Sequence, residues 1–198
     1  MYTTEVSMYL FGLLITAFVI IYTLMTNWPV KLYQNWRLQE LAKLLKTEVT
    51  EHGIWFTNIA SEIKTDYYEY PLTVRFVAGS VDALKSSSGM EVRLKATFPA
   101  VIQITSSLRG RTAYGQFQKV TMKVMEIEQR WLIISDNPSQ ALLLLESETW
   151  QNLLTSNFSF EQIMINPDEL IIRLHYLSTT KLLELLEKLR VTLDNLKN

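Results

Sequence analysis

The chain has 198 residues, with 19 basic and 20 acidic side chains for a formal net charge of −1, two histidines and no cysteine. This balance lacks the basic excess that marks a nucleic-acid surface, and the missing cysteine excludes disulfides, thiolate catalysis, iron–sulfur clusters and cysteine zinc sites. Beyond an apolar N-terminal run, what remains is of ordinary globular composition and single-domain size.

Between Glu5 and Lys31 there is no charge, and Met8 to Met25 is almost continuously apolar. About 20 residues rising about 1.5 Å each reach the roughly 30 Å of a bilayer's hydrocarbon, so the run from Val6 to Thr26 reads as a transmembrane helix. A cleaved signal fits poorly, because no Lys or Arg precedes the run and Thr26-Asn27-Trp28-Pro29 is no Ala-x-Ala site. Tyr9 and Tyr22 near its ends, and Trp28, Tyr33 and Trp36 after it, suit the headgroup level. Lys31, Arg37, Lys43 and Lys46 all follow the run, which orients the body to the cytoplasm and the N-terminus outward. The reading is therefore an integral, single-pass membrane protein, with residues 1–30 as anchor, 31–53 as neck and 54–198 as the globular domain.

From Asn35 to His52, Leu38, Leu41, Ala42, Leu45 and Val49 recur at helical spacing, and Gly53 is a helix stop. The pattern then turns β-like. Ile54 to Ile59 and Tyr70 to Ala78 are rich in β-branched and aromatic residues. Met90 to Phe98 alternates, with Val92, Leu94, Ala96 and Phe98 on one side and Glu91, Arg93, Lys95 and Thr97 on the other. Val101 to Thr105, Gln116 to Glu128 (with a bulge) and Trp131 to Ile134 read as further strands. Polar links at 85–89 and 106–115 separate them, and the whole suggests an antiparallel meander.

Asp136-Asn137-Pro138 is a cap followed by proline in the first turn, predicting a helix to about Leu154. Phe158 to Ile165 and Leu170 to Tyr176 flank the turn-forming Asn166-Pro167-Asp168-Glu169 and make a hairpin. The last helix, from about Thr179 to Leu196, carries a stripe of Leu182, Leu185, Leu186, Leu189, Leu193 and Leu196. The fold class is α+β: an antiparallel sheet covered on one side by the Pro138 and Leu182 helices, behind the transmembrane and neck helices.

The run from Arg130 to Leu145, a strand ending in Ser-Asp-x-Pro followed by a Leu-rich helix, with the hairpin and helix after it, resembles uncharacterised prokaryotic single-pass membrane-anchored α+β domain proteins. The resemblance centres on residues 130–198, implies membrane anchoring, and brings no activity or catalytic residue with it.

Recognisable catalytic motifs are absent from the sequence. Gly79-Ser80 is no nucleophile elbow, and Gly110 to Gly115 lacks the Gly-Lys-Ser/Thr ending of a P-loop. His52 and His175 stand on different elements, and with no cysteine a zinc site would need carboxylates throughout. Of the acidic pairs two apart, Glu126 and Glu128 converge if they lie on a strand, whereas Glu146 and Glu148 on a helix do not. Asn157-Phe158-Ser159 matches a glycosylation sequon, relevant only to an exported body. The aromatic run Asp66 to Pro71 makes Tyr67, Tyr68 and Tyr70 the candidate partner surface, the alternative being an edge strand entering a bend.

The function expected is a non-enzymatic, membrane-tethered interaction or structural module with a protein partner or a second copy of itself, and with no metal, cofactor or nucleic acid. The alternatives are a lipid- or small-ligand-binding domain at the membrane surface and a metal-independent enzyme using Glu, His175 or Tyr.

Overall fold

The computed structural model describes residues 2–26, 28–50, 62–77, 89–106, 116–175 and 177–196, and their side chains except those of 2–7, 22–26 and 28–32. The helices are α1 (Tyr2–Thr26), α2 (Trp28–Leu44), α3 (Met125–Arg130), α4 (Pro138–Leu145), α5 (Glu148–Leu154) and α6 (Thr179–Asp194). The strands are β1 (Val49–Thr50), β2 (Glu62–Tyr67), β3 (Tyr70–Val77), β4 (Gly89–Lys95), β5 (Ile102–Ser106), β6 (Gln118–Lys119), β7 (Trp131–Ser135), β8 (Phe160–Asn166) and β9 (Glu169–Leu174). They form one antiparallel sheet in the order β1-β2-β3-β4-β9-β8-β5-β7-β6.

Its register follows from alternation. Ile63, Val74, Val92, Ile172, Ile163, Ile104 and Ile133 are successive cross-strand partners on seven strands. All seven are essentially inaccessible to solvent. A parallel row, Leu72, Leu94, Leu170, Ile165 and Ile102, is buried beside it. β-Branched residues suit this pleated surface, and a one-residue slip would turn both rows outward, so burial fixes the pairing.

Helices supply the other half of the core. Leu182, Leu185, Leu186, Leu189 and Leu193 give α6 its buried stripe, and Ser178 caps it by accepting from the Lys181 amide. Asn137 caps α4 by accepting from the Gln140 amide at 3.3 Å, with Pro138 in the first turn. The preceding strand end is tied down too: Ser135 Oγ donates to the Val101 carbonyl, and the Val101 amide donates to Asp136. The Ser-Asp-x-Pro element is thus a strand-to-helix connector whose polar groups serve backbone.

Several expectations need correction. Among the described residues no helix is long and apolar enough to cross a membrane. The transmembrane helix, the single-pass topology, the membrane as partner and the inside–outside orientation are therefore not supported. α2 is no neck either. It ends at Leu44, where Lys46 at φ 54° and the Thr47 amide bonding the Ala42 carbonyl close a Schellman-type turn. Leu38, Leu41 and Ala42 are buried in the domain core, and β1 follows.

β2, not predicted, alternates Ile63 inward against exposed Lys64. The strand expected over Gln116 to Glu128 is only β6 and then α3. Val120, Met122 and Ile127 are buried as an alternation predicts, but irregular backbone and a helix carry them there. The helix expected over Pro138 to Leu154 is two, α4 and α5, broken at Glu146 and Ser147, where Gln151 Nε2 donates to the Glu146 carbonyl. The strand expected over 54–59, the links 85–88 and 107–115, Gly53 and Gly79-Ser80 lie outside the described residues.

Core and surface leucines should separate sharply. Leu185→Ala is expected to lower unfolding free energy by about 2–5 kcal/mol, and Leu143→Ser, at a side chain 75% exposed, to stay within about 0.5 kcal/mol. Urea denaturation followed by far-UV circular dichroism measures both.

Candidate functional site

The row of the sheet next to the buried isoleucines and valines points the other way and is charged. Glu62, Arg75, Glu91, Arg173, Gln162, Thr105 and Leu132 are successive cross-strand partners from β2 to β7. Arg93 sits on the same face, two residues along β4 from Glu91. Three guanidiniums thus surround one carboxylate: Arg75 from β3, Arg173 from β9, and Arg93 from the same strand.

Glu91 is fully buried by these partners. Arg75 reaches its Oε1 with Nε (2.9 Å) and Nη2 (2.7 Å), Arg93 Nε donates to the same oxygen (2.7 Å), and Arg173 Nε donates to Oε2 (2.9 Å). Burial alone would raise the pKa of Glu91, but the hydrogen bonds from Arg93, Arg173 and Arg75 outweigh it and hold the carboxyl below the usual range. Glu91 is therefore ionised at neutral pH.

The arginines are not buried. Their side chains retain 34% (Arg75 and Arg93) and 40% (Arg173) of full exposure. Among the described residues, Arg93 Nη1 has a longer ion pair with Glu169 at 3.7 Å. Among the described residues, Arg75 Nη1, Arg93 Nη2 and both Nη atoms of Arg173 make no hydrogen bond or ion pair. Nearby charges are engaged: Glu62 with Lys64, and Glu161 with His175 Nδ1 at 3.2 Å. Three guanidiniums fixed by a buried carboxylate, with N–H groups unspent and solvent at hand, are suited to hold an anion.

The tyrosines singled out in sequence are brought together, but by the domain itself. At the β2–β3 turn, Tyr67 OH donates to Glu187 (3.3 Å) and the buried Tyr70 OH donates to Asp194 (2.9 Å), both on α6. Arg190 bonds both acids and lies 4.7 Å over the Tyr68 ring. Burial, then the Glu187 charge, raises the Tyr67 pKa. Only Tyr68, at φ 57° and 69% exposed, faces outward. Two of the three rings thus tie the hairpin to α6, and nothing in the structure supports a protein partner or self-association there.

Other candidates do not assemble. Glu126 and Glu128 lie in α3, and Glu128 is spent on Lys119 and the Met122 amide. Asn157 is exposed after α5, and His52 lies outside the described residues. Among the described residues no group of three or more His, Cys, Asp or Glu is placed to hold a metal ion.

No protein-family model and no curated protein matches the chain, so the resemblance of residues 130–198 to uncharacterised membrane-anchored proteins is not supported. The caps and buried leucines of that run account for it as ordinary helix-start chemistry. Among solved structures, the crystal structure of the mycobacterial trehalose monomycolate transport factor A, TtfA, is similar with a TM-score of 0.58. Identity is 6%, and the match covers 81% of this chain and 94% of that one. The likeness is one of fold.

Sequence reasoning placed Glu91 and Arg93 on the polar side of a strand but did not single them out, and it missed Arg75 and Arg173. The available signal was a charged residue beside an inward apolar one on β2, β3, β4 and β9; which of them meet depends on strand order.

Glu91→Gln is expected to destabilise the fold by about 3 kcal/mol at pH 7, the low end for breaking a buried ion pair, because the guanidiniums are a third or more exposed. With a folded pKa below the unfolded one, Glu91 contributes fully above the ordinary carboxylate range. That contribution is lost as pH falls through the lowered value. Denaturation between pH 2 and 7 should show a shallower acid limb for Glu91→Gln than for the wild-type chain.

Proposed function

We propose that this protein is a non-enzymatic binding domain, and that the sheet face around Glu91 takes a negatively charged group of its ligand. The observation that carries the reading is the division of labour within each guanidinium: the Nε side is committed to Glu91, while Nη groups remain for a second acceptor. Arginines held this way lose little conformational freedom on binding, which favours affinity. Among the described residues, the carboxylates near the cluster are engaged, Glu62 with Lys64, Glu169 with Arg93 and Glu161 with His175, which favours holding a ligand there. The fold is shared with a mycobacterial transport factor, an analogy of architecture that is in keeping with a binding role.

Thermal unfolding tests the proposal. Sodium sulfate at millimolar concentration should raise the melting temperature above that in sodium chloride of equal ionic strength, since a ligand bound only to the folded state stabilises it by RT ln(1 + [L]/Kd). Arg173→Gln should abolish the difference, whereas Lys95→Gln, an exposed lysine two residues beyond Arg93 at the end of β4, should keep it. Equal melting in both salts, or an unchanged sulfate response in folded Arg173→Gln, overturns the reading.

A further inference from the structure

We infer that the anionic group accepted at Glu91 is a phosphate monoester in its dianionic form, an inference that rests on the anion-binding reading above. Charge gives the first argument. Three guanidiniums set against Glu91 and, in a long ion pair at 3.7 Å from Arg93, Glu169 leave one positive charge in excess, and a second wherever the Glu169 contact is given up. A carboxylate or a phosphodiester brings one negative charge and matches the cluster only while Glu169 keeps its contact with Arg93. A monoester near neutral pH brings close to two, its second pKa being about 6.

Geometry gives the second argument. Arg75 and Arg173 flank Glu91 on neighbouring strands, each about 4.8 Å away at the backbone, and Arg93 lies about 6.8 Å along its own strand. The three anchor points form a triangle rather than a line. The unspent Nη atoms belong to all three arginines, so an acceptor with three free oxygens can engage each one. A planar carboxylate has two oxygens and a diester two free ones; a monoester has three. Charge-assisted N–H···O bonds to phosphate are about twice as strong as neutral ones, and guanidinium geometry matches the phosphoryl oxygens.

Glu169 adds discrimination. It is tethered by the Asn166 side chain at the β8–β9 turn and reaches toward Arg93 without closing a hydrogen bond. A dianion can displace that long contact, whereas a monoanion gains little by doing so. The same monoester chemistry is presented by small soluble phosphates and by lipids such as phosphatidic acid.

Calorimetry on the full chain with glycerol 3-phosphate, dimethyl phosphate and acetate, at one ionic strength and pH 7.5, decides the ligand class. Glycerol 3-phosphate is expected to bind at least about tenfold more tightly than either monoanion, and Arg75→Gln and Arg173→Gln each to remove most of that advantage. Circular dichroism and melting confirm that each variant is folded. If acetate or dimethyl phosphate binds as well as the monoester, the assignment to monoesters fails while the anion reading survives. If no anion binds the folded wild-type chain, both fail. A fourth titration, with soluble dihexanoyl phosphatidic acid, assigns the source within a positive result: tighter binding than glycerol 3-phosphate points to a lipid, equal binding to a soluble ester.

Discussion

Everything else in this structure depends on the period of two in its central strands. Val74 and Arg75, Val92 and Glu91, and Ile172 and Arg173 are adjacent pairs, and adjacent side chains on a strand point to opposite faces. Once the apolar member of each pair is driven under the helices, its charged neighbour has to emerge on the far side. The register that aligns Val74, Val92 and Ile172 is the register that aligns Arg75, Glu91 and Arg173. Core and candidate site are thus two consequences of one pairing.

This coupling explains how much could be read from the chain. The alternation of β4, the turn at Pro167-Asp168, the cap at Asn137 and the leucine stripe of α6 are local, and each was legible within a window of a few residues. The break between α4 and α5 was not, because the tie from Gln151 back to Glu146 is a tertiary detail with no strong breaker residue behind it. The stretch from Gln116 to Glu128 misled for another reason: its apolar positions are buried as a strand's would be, yet the backbone reaches the core through a short edge strand and a helix. The N-terminal run misled because absence of charge is a necessary property of a membrane span and not a sufficient one.

The candidate site lay beyond local reading altogether. Arg75, Glu91 and Arg173 come from three strands, and β4 and β9 are neighbours only because the final hairpin inserts between β4 and its sequence neighbour β5. No periodicity within any strand encodes that choice. The tyrosine run shows the converse: its composition suggested a surface, but Glu187, Arg190 and Asp194, more than a hundred residues later, turn Tyr67 and Tyr70 inward as hydrogen-bond donors.

A buried carboxylate ringed by arginines is a poor way to make a sheet more stable. The Coulomb attraction within such a cluster is largely offset by desolvation of the acid, and well-packed apolar side chains in the same positions commonly do as well or better. The neighbouring row shows that this sheet accommodates such residues on seven consecutive strands. What the cluster supplies, and an apolar row could not, is orientation: long arginine side chains that would otherwise sample many rotamers are held at Nε, with Nη groups left over that do not bond Glu91. Three like charges brought this close repel one another unless something negative stands among them. Glu91 does this from beneath, within the sheet, and leaves the outer side of the cluster to an anion.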